Sequence, residues 1–418
     1  MKKKLTKIIL PILMLAAFIG LILWANDVEI TELVNRSGQT FEKGVVTEIV
    51  KDNLQSDGSR SGQQTVKVEM LTGVRKGEIL EMTSSSGYLF GAGCTVGMHV
   101  IVMQSVSGDV TVASVYVKDR EWVIYIFAAL YLLLLCVIGG KQGVKGCLGL
   151  IFTFVSVIFL YIPLIYRGYS PFWVAVFVCF ITTLITMYLI GGATRKTICA
   201  IGGTITGILS AGITAILFSK ASGITGYNVS DIESLITLWN VKGIQVGGLL
   251  FSGLLISALG ATMDVAMSVS SAMYEIAKQM DAASAATAAL AEAAGEPDSA
   301  DMVSVESTDI HNGKNGAGEG ISRKELWLAG MRVGRDMMGT DSNTLILAFV
   351  GTSTSTLVLD YAYNLPYQQL INSNNIGIAI MQGLSGSFGI VLSVPLTVTL
   401  GAILLTKKKK DNKPAGRS

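Results

Sequence analysis

The chain has 418 residues, of which 50% are hydrophobic and 15% are charged, and its mean hydropathy is +0.55. A soluble multidomain protein has about a quarter of its residues charged, and collagen-like or disordered chains need periodic glycine or a high net charge, so this composition excludes those classes. The 32 basic and 30 acidic residues leave a formal net charge of +2, which favours no nucleic-acid partner. The sequence therefore predicts a membrane protein whose first partner is the lipid bilayer.

The first predicted element is a transmembrane anchor in residues 1–26. Four lysines among the first seven residues precede an uncharged run at 8–26, and about 20 apolar residues suffice to cross a hydrocarbon core of roughly 30 Å. A positively charged start followed by an apolar run also describes a signal peptide. Because Leu23 and Ala25 make a poor cleavage site, we expect an uncleaved anchor, with a cleaved signal peptide as the alternative.

Residues 27–121 are predicted to form a separate β domain. Polar and apolar residues alternate there in short runs between Gly, Asn, Asp and Ser, which is the pattern of half-buried strands. Five strands, expected at 44–50, 65–71, 78–83, 99–105 and 110–117, favour a small β-barrel, with an OB-like topology as one version. The domain has no basic stripe with interleaved aromatic residues, so we expect no nucleic-acid binding and favour a docking or gating role over ligand recognition.

The rest of the chain is predicted to be an α-helical polytopic membrane protein. With the anchor there are eight spans, of which helices 2–6 lie in residues 122–277 and helices 7 and 8 in residues 342–406. The uncharged stretches are 8–26, 122–140, 146–166, 168–194, 197–219, 243–263, 342–359 and 376–405. With both termini cytoplasmic, 20 Lys and Arg residues lie in inner segments and 3 in short outer loops, which predicts a plasma-membrane protein with residues 27–121 extracytoplasmic.

Two spans carry residues that we assign mainly to helix packing. In the fifth span, Gly203 and Gly207 form a GxxxG motif, and small residues at this spacing allow helix backbones to approach closely. In the eighth span, Pro395 predicts a kink. Its polar residues are interpreted as packing contacts that could add some polar lining: Gln382, Ser385, Ser387 and Thr397.

The sixth span carries the clearest candidate for a polar pathway. Asp264, Ser268, Ser271 and Glu275 are spaced i, i+4, i+7 and i+11, so they share one helix face. An ionised aspartate at a helix centre costs about 2.5–3.5 kcal/mol on insertion scales, and such residues usually face a bundle interior or a watery cavity. Because 243–263 is already long enough to span, the alternative is that Asp264 is solvated at the inner interface. The depth of Asp264 decides between the two.

Two segments between the sixth and seventh spans are predicted to lie at the inner surface. Residues 278–320 are rich in Ala, Ser and Gly and predict a flexible loop, with a helix continuing to about Glu296 where alanine dominates. In 321–341, apolar residues recur at helical spacing beside Arg332, Arg335 and Asp336, which favours an amphipathic surface helix over a re-entrant one. The basic tail at 407–418 is expected to bind the anionic inner leaflet.

The seventh span follows Asp341 and begins with further polar residues, Asn343 and Thr344. Six consecutive small or hydroxyl residues occupy 351–356, and those assigned to the pathway are Thr352, Ser353 and Thr354. Consecutive residues point all round a helix, so other helices are expected to enclose this segment, or it unwinds locally around a cavity. Close packing, with hydroxyls bonded to carbonyls of the preceding turn, is favoured.

The patterns that accompany catalysis or metal binding give little support to an enzyme. The five cysteines form no CxxC pair, and His99 and His311 lie far apart, so we expect no disulfide framework, no metal site and no cofactor. The sequence contains no Walker A, GxSxG or HExxH motif. An intramembrane enzyme that uses Asp264 and Asp341 is the weakest hypothesis.

Three phrases resemble one protein family: GGATRKT at 191–197, GATMDVAMSVSSAMYEI at 260–276 and GRDMMGTDSNTLILAF at 334–349. They are similar to phrases of the YibE/F-like family of bacterial multipass membrane proteins, and the resemblance covers most of the chain, including the β domain. It implies the architecture and a bacterial plasma membrane but no activity. The sequence departs from the family pattern at 278–320, which resembles an insertion, and at Asp341, which is more polar than the family phrase.

These features together predict a transporter or export permease for a small solute or ion, with its pathway along helices 6 and 7. The alternative is a membrane-anchored scaffold or assembly factor whose β domain docks a protein partner.

Overall fold

The computed structural model describes residues 2–28, 38–56, 60–85, 92–107, 110–227, 232–293 and 322–406. The chain forms two compact units, one of Glu32–Gly143 and the other of Met1–Thr31 with Val144–Ser418. It begins with α1 (Lys2–Asn26), which belongs to the second unit. The predicted tail at 407–418 and most of the predicted loop at 278–320 lie outside the described residues.

The first unit contains a closed five-stranded barrel, which confirms the predicted small β-barrel. Its strands are β1 (Gln39–Lys51), β2 (Gln63–Met70), β3 (Ile79–Ser85), β4 (His99–Ser107) and β5 (Val110–Lys118), in the order β1-β2-β3-β5-β4. Neighbouring strands are antiparallel except β3 and β5. Along β2, every second side chain from Gln64 to Met70 is buried, because successive side chains of a strand point to opposite faces and one face forms the core.

A long apolar helical stretch follows the barrel. α2 (Glu121–Ser156), a π-helical turn (Val157–Tyr161) and α3 (Ile162–Tyr166) together span 46 residues. A straight helix of that length would measure about 69 Å, roughly twice the hydrocarbon core. However, the φ of 53° and ψ of −133° at Gly140 break α2, and a Cβ at Gly143 would overlap the carbonyl oxygen of Leu135. The helix is therefore broken at Gly140, and the division into two spans at 122–140 and 146–166 stays a prediction.

The second unit is a helical bundle. Its further helices are α4 (Pro171–Gly191), α5 (Arg195–Ser222), α6 (Ile232–Lys242), α7 (Leu249–Ala293), α8 (Arg323–Thr352), α9 (Thr354–Ala362), α10 (Tyr367–Ile371) and α11 (Asn374–Leu405). Among the described residues of the whole chain, five helical stretches are long and apolar enough to cross a membrane, and a sixth is added if α8 and α9 count as one bent span. The chain is a membrane protein, and the total of eight spans stays a prediction.

α11 has the most extensive packing interface in the bundle, which it forms with α5, α7 and α8. Gly203 and Gly207 of α5 face it: a Cβ at Gly203 would overlap Thr397, and a Cβ at Gly207 would lie 2.8 Å from the carbonyl oxygen of Gly389. The two helices approach this closely because neither glycine carries a side chain. The Thr397 hydroxyl donates to the carbonyl of Ser393 at 2.8 Å, so it bonds within its own helix.

Polar side chains hold the end of α1 against the bundle through hydrogen bonds. Asn26 Nδ2 donates to the carbonyl of Phe159 at 2.7 Å. The guanidinium of Arg167, which follows α3, donates to three backbone carbonyls at residues 24, 25 and 27 and lies 4.5 Å from the ring centroid of Trp24. Because Phe18 is also buried in the main core of the bundle, α1 is a packed part of this unit.

α7 and α8 bear on two of the predicted boundaries. α7 continues to Ala293 as one helix, so residues 278–293 are helical, as their alanine-rich sequence predicts. α8 runs without interruption from Arg323 to Thr352, so the predicted division into a surface helix at 321–341 and a span from 342 is wrong. The charged residues interrupt the hydropathy pattern but not the backbone hydrogen bonds, and a capping box of Ser322 and Glu325 starts the helix before them.

Candidate functional site

The four predicted pathway residues of α7 lie on a face that the other described residues leave largely uncovered. Asp264 and Glu275 are exposed, whereas Ser268 and Ser271 are half-buried. Three exposed residues continue this face toward the start of α7 at the same spacing of three and four: Gly253, Ser257 and Gly260. We call the complete set the α7 stripe: Gly253, Ser257, Gly260, Asp264, Ser268, Ser271 and Glu275.

Sequence reasoning missed the first three residues of the α7 stripe because they lie in a segment interpreted as an apolar span. The spacing was the signal that could have found them. At Gly253 and Gly260 a Cβ would meet nothing within 4 Å, so these positions are open rather than packed.

One end of the bundle is marked by basic residues, and we call it the basic end. Arg195 at the start of α5 donates from Nη1 to the carbonyl of Leu404 at the end of α11, at 3.1 Å. Lys196 is the next residue of α5, and Lys407 follows α11 in the sequence. The start of α5 and the end of α11 therefore lie at the same level, and distances along the helices are measured from this level.

The contacts of α7 with α5 give the depth of Asp264. A Cβ at Gly203 would lie 3.3 Å from the Cβ of Ala266, and Gly203 is about 12 Å along α5 from the basic end. A Cβ at Gly207 would lie 3.0 Å from Cγ2 of Thr262, at about 18 Å from that end. Asp264 lies between these two residues of α7, so its depth is about 15 Å, half of a roughly 30 Å hydrocarbon core.

α8 runs beside α11 in the opposite direction and at the same depth. Trp327 Nε1 donates to the Thr399 hydroxyl at 3.2 Å, and a Cβ at Gly334 would overlap the side chain of Val394. Val394 is about 16 Å from the end of α11. The segment predicted to lie on the membrane surface therefore forms the half of α8 nearest the basic end and packs along α11.

α8, which packs against α7, carries a second carboxylate. Asp341 is half-buried. The hydroxyl of the neighbouring Ser342 is buried and has no hydrogen-bond partner among the described residues. Two acids on packed helices give this part of the bundle a negative potential, which attracts cations and is little screened away from water.

The helix breaks within the hydroxyl segment, which we define as residues 351–356, and the other described helices do not enclose this segment. α8 and α9 meet at Ser353 with a bend of 58°, so the helix of the predicted span at 342–359 is broken there. The hydroxyl of Thr352 donates to the carbonyl of Phe349 at 2.8 Å, and that of Thr354 to the carbonyl of Val350 at 3.1 Å. These bonds are the ones expected, but Thr352 and Thr354 are exposed, so the described helices do not enclose them.

The remaining predicted pathway residues follow Asp341 in the chain. Asn343 and Thr344 are exposed, and the Thr344 hydroxyl donates to the carbonyl of Thr340 at 3.0 Å. Thr352 is 11 residues from Asp341, which is about 16 Å along α8. The hydroxyl segment therefore lies at a distance from Asp341.

Residues 127–292 and 314–407, more than half of the chain, match the sequence profile of the family described as YibE/F-like protein. The chain belongs to the YibE/F-like family. No curated protein and no solved structure is significantly similar to it.

The matched parts of the YibE/F-like chain include Asp264 and Asp341. The barrel precedes residue 127, so the match does not extend to the β domain, contrary to expectation. The interruption at 293–313 lies inside the segment 278–320, which the sequence predicts to be an insertion. In the described part of this YibE/F-like chain, no group of three His, Cys, Asp or Glu side chains is placed to hold a metal ion.

The barrel unit of the YibE/F-like chain carries an open cleft of about 630 Å³ at the start of α2. Basic and apolar residues share its walls, including Val96, Met98, His99, Lys118 and Trp122. Lys43, also in the wall, donates a hydrogen bond to Glu121 and lies 3.7 Å from Asp119. The hydrogen bond to Glu121 raises the pKa of Lys43 above its ordinary value, so Lys43 stays protonated and tethers β1 to the first residue of α2.

Proposed function

We propose that this YibE/F-like chain is a transporter or export permease for a small solute or ion, with its polar pathway along α7 and α8. The observation that carries the proposal is Asp264, which lies about 15 Å from the basic end and faces away from the packed core. Ionisable residues at this depth usually mark ion or solute paths because they are costly to keep in hydrocarbon. Asp341 on α8, which packs against α7, adds a second acid to the proposed pathway.

The orientation that we propose places the basic end in the bacterial cytoplasm. Arg195 and Lys196 begin α5 there, and Lys407 to Lys410 follow α11. Basic residues in short loops stay on the cytoplasmic side of a plasma membrane. Both termini are then cytoplasmic, and residues 27–121 are extracytoplasmic.

Proton flux into proteoliposomes tests the proposed pathway. Liposomes that contain the wild-type chain and a pH-sensitive dye are expected to dissipate an imposed pH gradient faster than empty liposomes. Asp264→Asn removes the mid-depth charge without changing the side-chain volume, so it is expected to lower this rate at least about tenfold.

Two variants serve as controls for the flux measurement. Asp264→Glu keeps a carboxylate on the α7 stripe, and Asp281→Asn removes an acid of α7 that lies outside it; both are expected to retain the flux. Unchanged flux in Asp264→Asn would remove Asp264 from the mechanism.

A scaffold or assembly factor is the second candidate, favoured by the exposed apolar side chains of the barrel unit. Val74 is fully exposed, and Val96 and Trp122, both in the cleft wall, are 64% and 72% exposed. Apolar side chains around a cleft are a feature of docking surfaces for protein partners. Deletion of residues 27–121 with all helices kept separates the candidates: loss of activity with intact spans favours the scaffold, and persistent flux argues against it.

A further inference from the structure

Opposite charges lie at one depth on two outward faces of the described bundle. Asp264 is exposed on the α7 stripe, about 15 Å from the basic end. Arg332 and Arg335 are exposed on α8, on either side of Gly334, which packs against Val394 about 16 Å from the end of α11. The carboxylate and the two guanidiniums are therefore level with one another.

None of these three charges has an ion-pair partner among the residues that the structure describes. Ion pairs seen in the described residues, among them those of the barrel unit and the pair of Glu275 with Lys278, include none of the three. Arginine and aspartate at membrane depth pair with one another or contact water, because hydrocarbon does not solvate them. Something other than lipid must therefore cover the α7 stripe at Asp264 and the face of α8 that carries Arg332 and Arg335.

We propose that a second copy of this chain supplies the cover, with Arg332 and Arg335 on α8 of one copy docking against Asp264 on the α7 stripe of the next. Copies inserted in the same orientation place these groups at equal depth without any shift along the membrane normal. Two α7 stripes facing each other would instead bring Asp264 against Asp264, so charge favours the contact of α7 with α8.

The shape of both faces suits a close helix contact. The α7 stripe runs from Gly253 to Glu275, about 33 Å, which is the full thickness of a hydrocarbon core. It has no large apolar side chain. On α8, Gly339 lies in the exposed face, and a Cβ there would meet nothing within 4 Å. Small residues on both helices let their backbones approach, as membrane helix pairs require.

This contact goes beyond the proposed function and does not depend on it. If α7 does line a pathway, α8 of the second copy forms the wall opposite the α7 stripe. Cross-linking tests the contact between copies, and flux tests the pathway. One of the two proposals can therefore fail without the other.

Disulfide cross-linking between two differently tagged copies tests the contact. Both copies lack the five native cysteines; one carries Gly260→Cys and the other Gly339→Cys, positions whose depths agree within about 3 Å. Oxidant added to native membranes is expected to give a mixed-tag dimer. Leu209→Cys, exposed on α5, replaces Gly260→Cys in the matched control and is expected to give none.

Charge reversal tests the pairing in the same membranes. Asp264→Arg in the Gly260→Cys copy is expected to lower the cross-link at least about tenfold, because it places like charges together. Arg332→Asp with Arg335→Asp in the other copy is expected to do the same, and combining both changes is expected to restore it. A cross-link insensitive to every one of these changes overturns the pairing.

The wild-type chain provides a test that needs no substitution. Native mass spectrometry from lipid nanodiscs is expected to show assemblies of two or more copies. A monomer alone, together with the absence of the mixed-tag dimer, overturns the proposal and leaves lipid or another polypeptide as the cover.

Discussion

At the scale of single residues, the approach of α5 to α11 depends on the missing side chain of Gly203. Its Cβ would overlap Thr397, so Gly203→Ala is expected to destabilise the bundle by about 1–3 kcal/mol through overpacking. Thermal unfolding of the purified protein in detergent measures this as a lower Tm. Gly20→Ala in α1, where a Cβ would meet nothing within 4 Å, is the matched control. Equal Tm values for the two variants would contradict the packing.

Inside the barrel, one buried side chain satisfies both backbone groups of Cys94. Gln64 Nε2 donates to the Cys94 carbonyl at 3.1 Å, and the Cys94 N–H donates to Gln64 Oε1 at 2.8 Å. Gln64→Leu leaves both groups buried and unpaired, at a cost of about 1–3 kcal/mol each. Hydrogen exchange in the full chain is expected to accelerate across β2 and β4, whereas the exposed Gln63→Leu leaves it unchanged. Equal protection in both variants would refute this role.

At the scale of elements, α8 packs along α11 as one continuous helix. Gly334→Cys with Val394→Cys, in a chain without native cysteines, is expected to form an intrachain disulfide because the two positions are in contact. Gel mobility before and after reduction measures it. Gly334→Cys with Val391→Cys, an exposed position of α11, is the control. A surface helix would give no disulfide in either pair.

The same two helices show which elements a sequence can predict. Alternation predicted all five strands, and apolar length located α4, α5 and α11, because these patterns report directly which side chains leave water. The boundary at 341 was wrong because hydropathy locates lipid contact, whereas backbone hydrogen bonds decide where a helix ends. The continuation of α7 to Ala293 was predictable from its alanine-rich sequence, since Lys278 and Asp281 end its apolar stretch without ending the helix.

At the scale of the whole molecule, the candidate site was predictable in part. A period of 100° per residue placed Asp264, Ser268, Ser271 and Glu275 on one face of α7. Their depth could not be predicted, because it follows from the stacking of α7 on α5 at Gly203 and Gly207. The hydroxyl segment was expected either to be enclosed or to unwind locally around a cavity. The helix does break at Ser353, but Thr352 and Thr354 are exposed, and neither periodicity nor composition predicts a bend of 58°.

Water access to position 264 tests the central claim most directly. Asp264→Cys, in a chain without native cysteines, is exposed in native membranes to a membrane-impermeant thiol reagent. Leu396→Cys on α11 is the control, since Leu396 is apolar, 40% exposed and about 14 Å from the basic end. A polar pathway predicts that the thiol of the Asp264→Cys variant is labelled at least about tenfold faster than that of the Leu396→Cys variant, because thiolates form in water and not in hydrocarbon. Equally slow labelling of both variants would contradict the pathway.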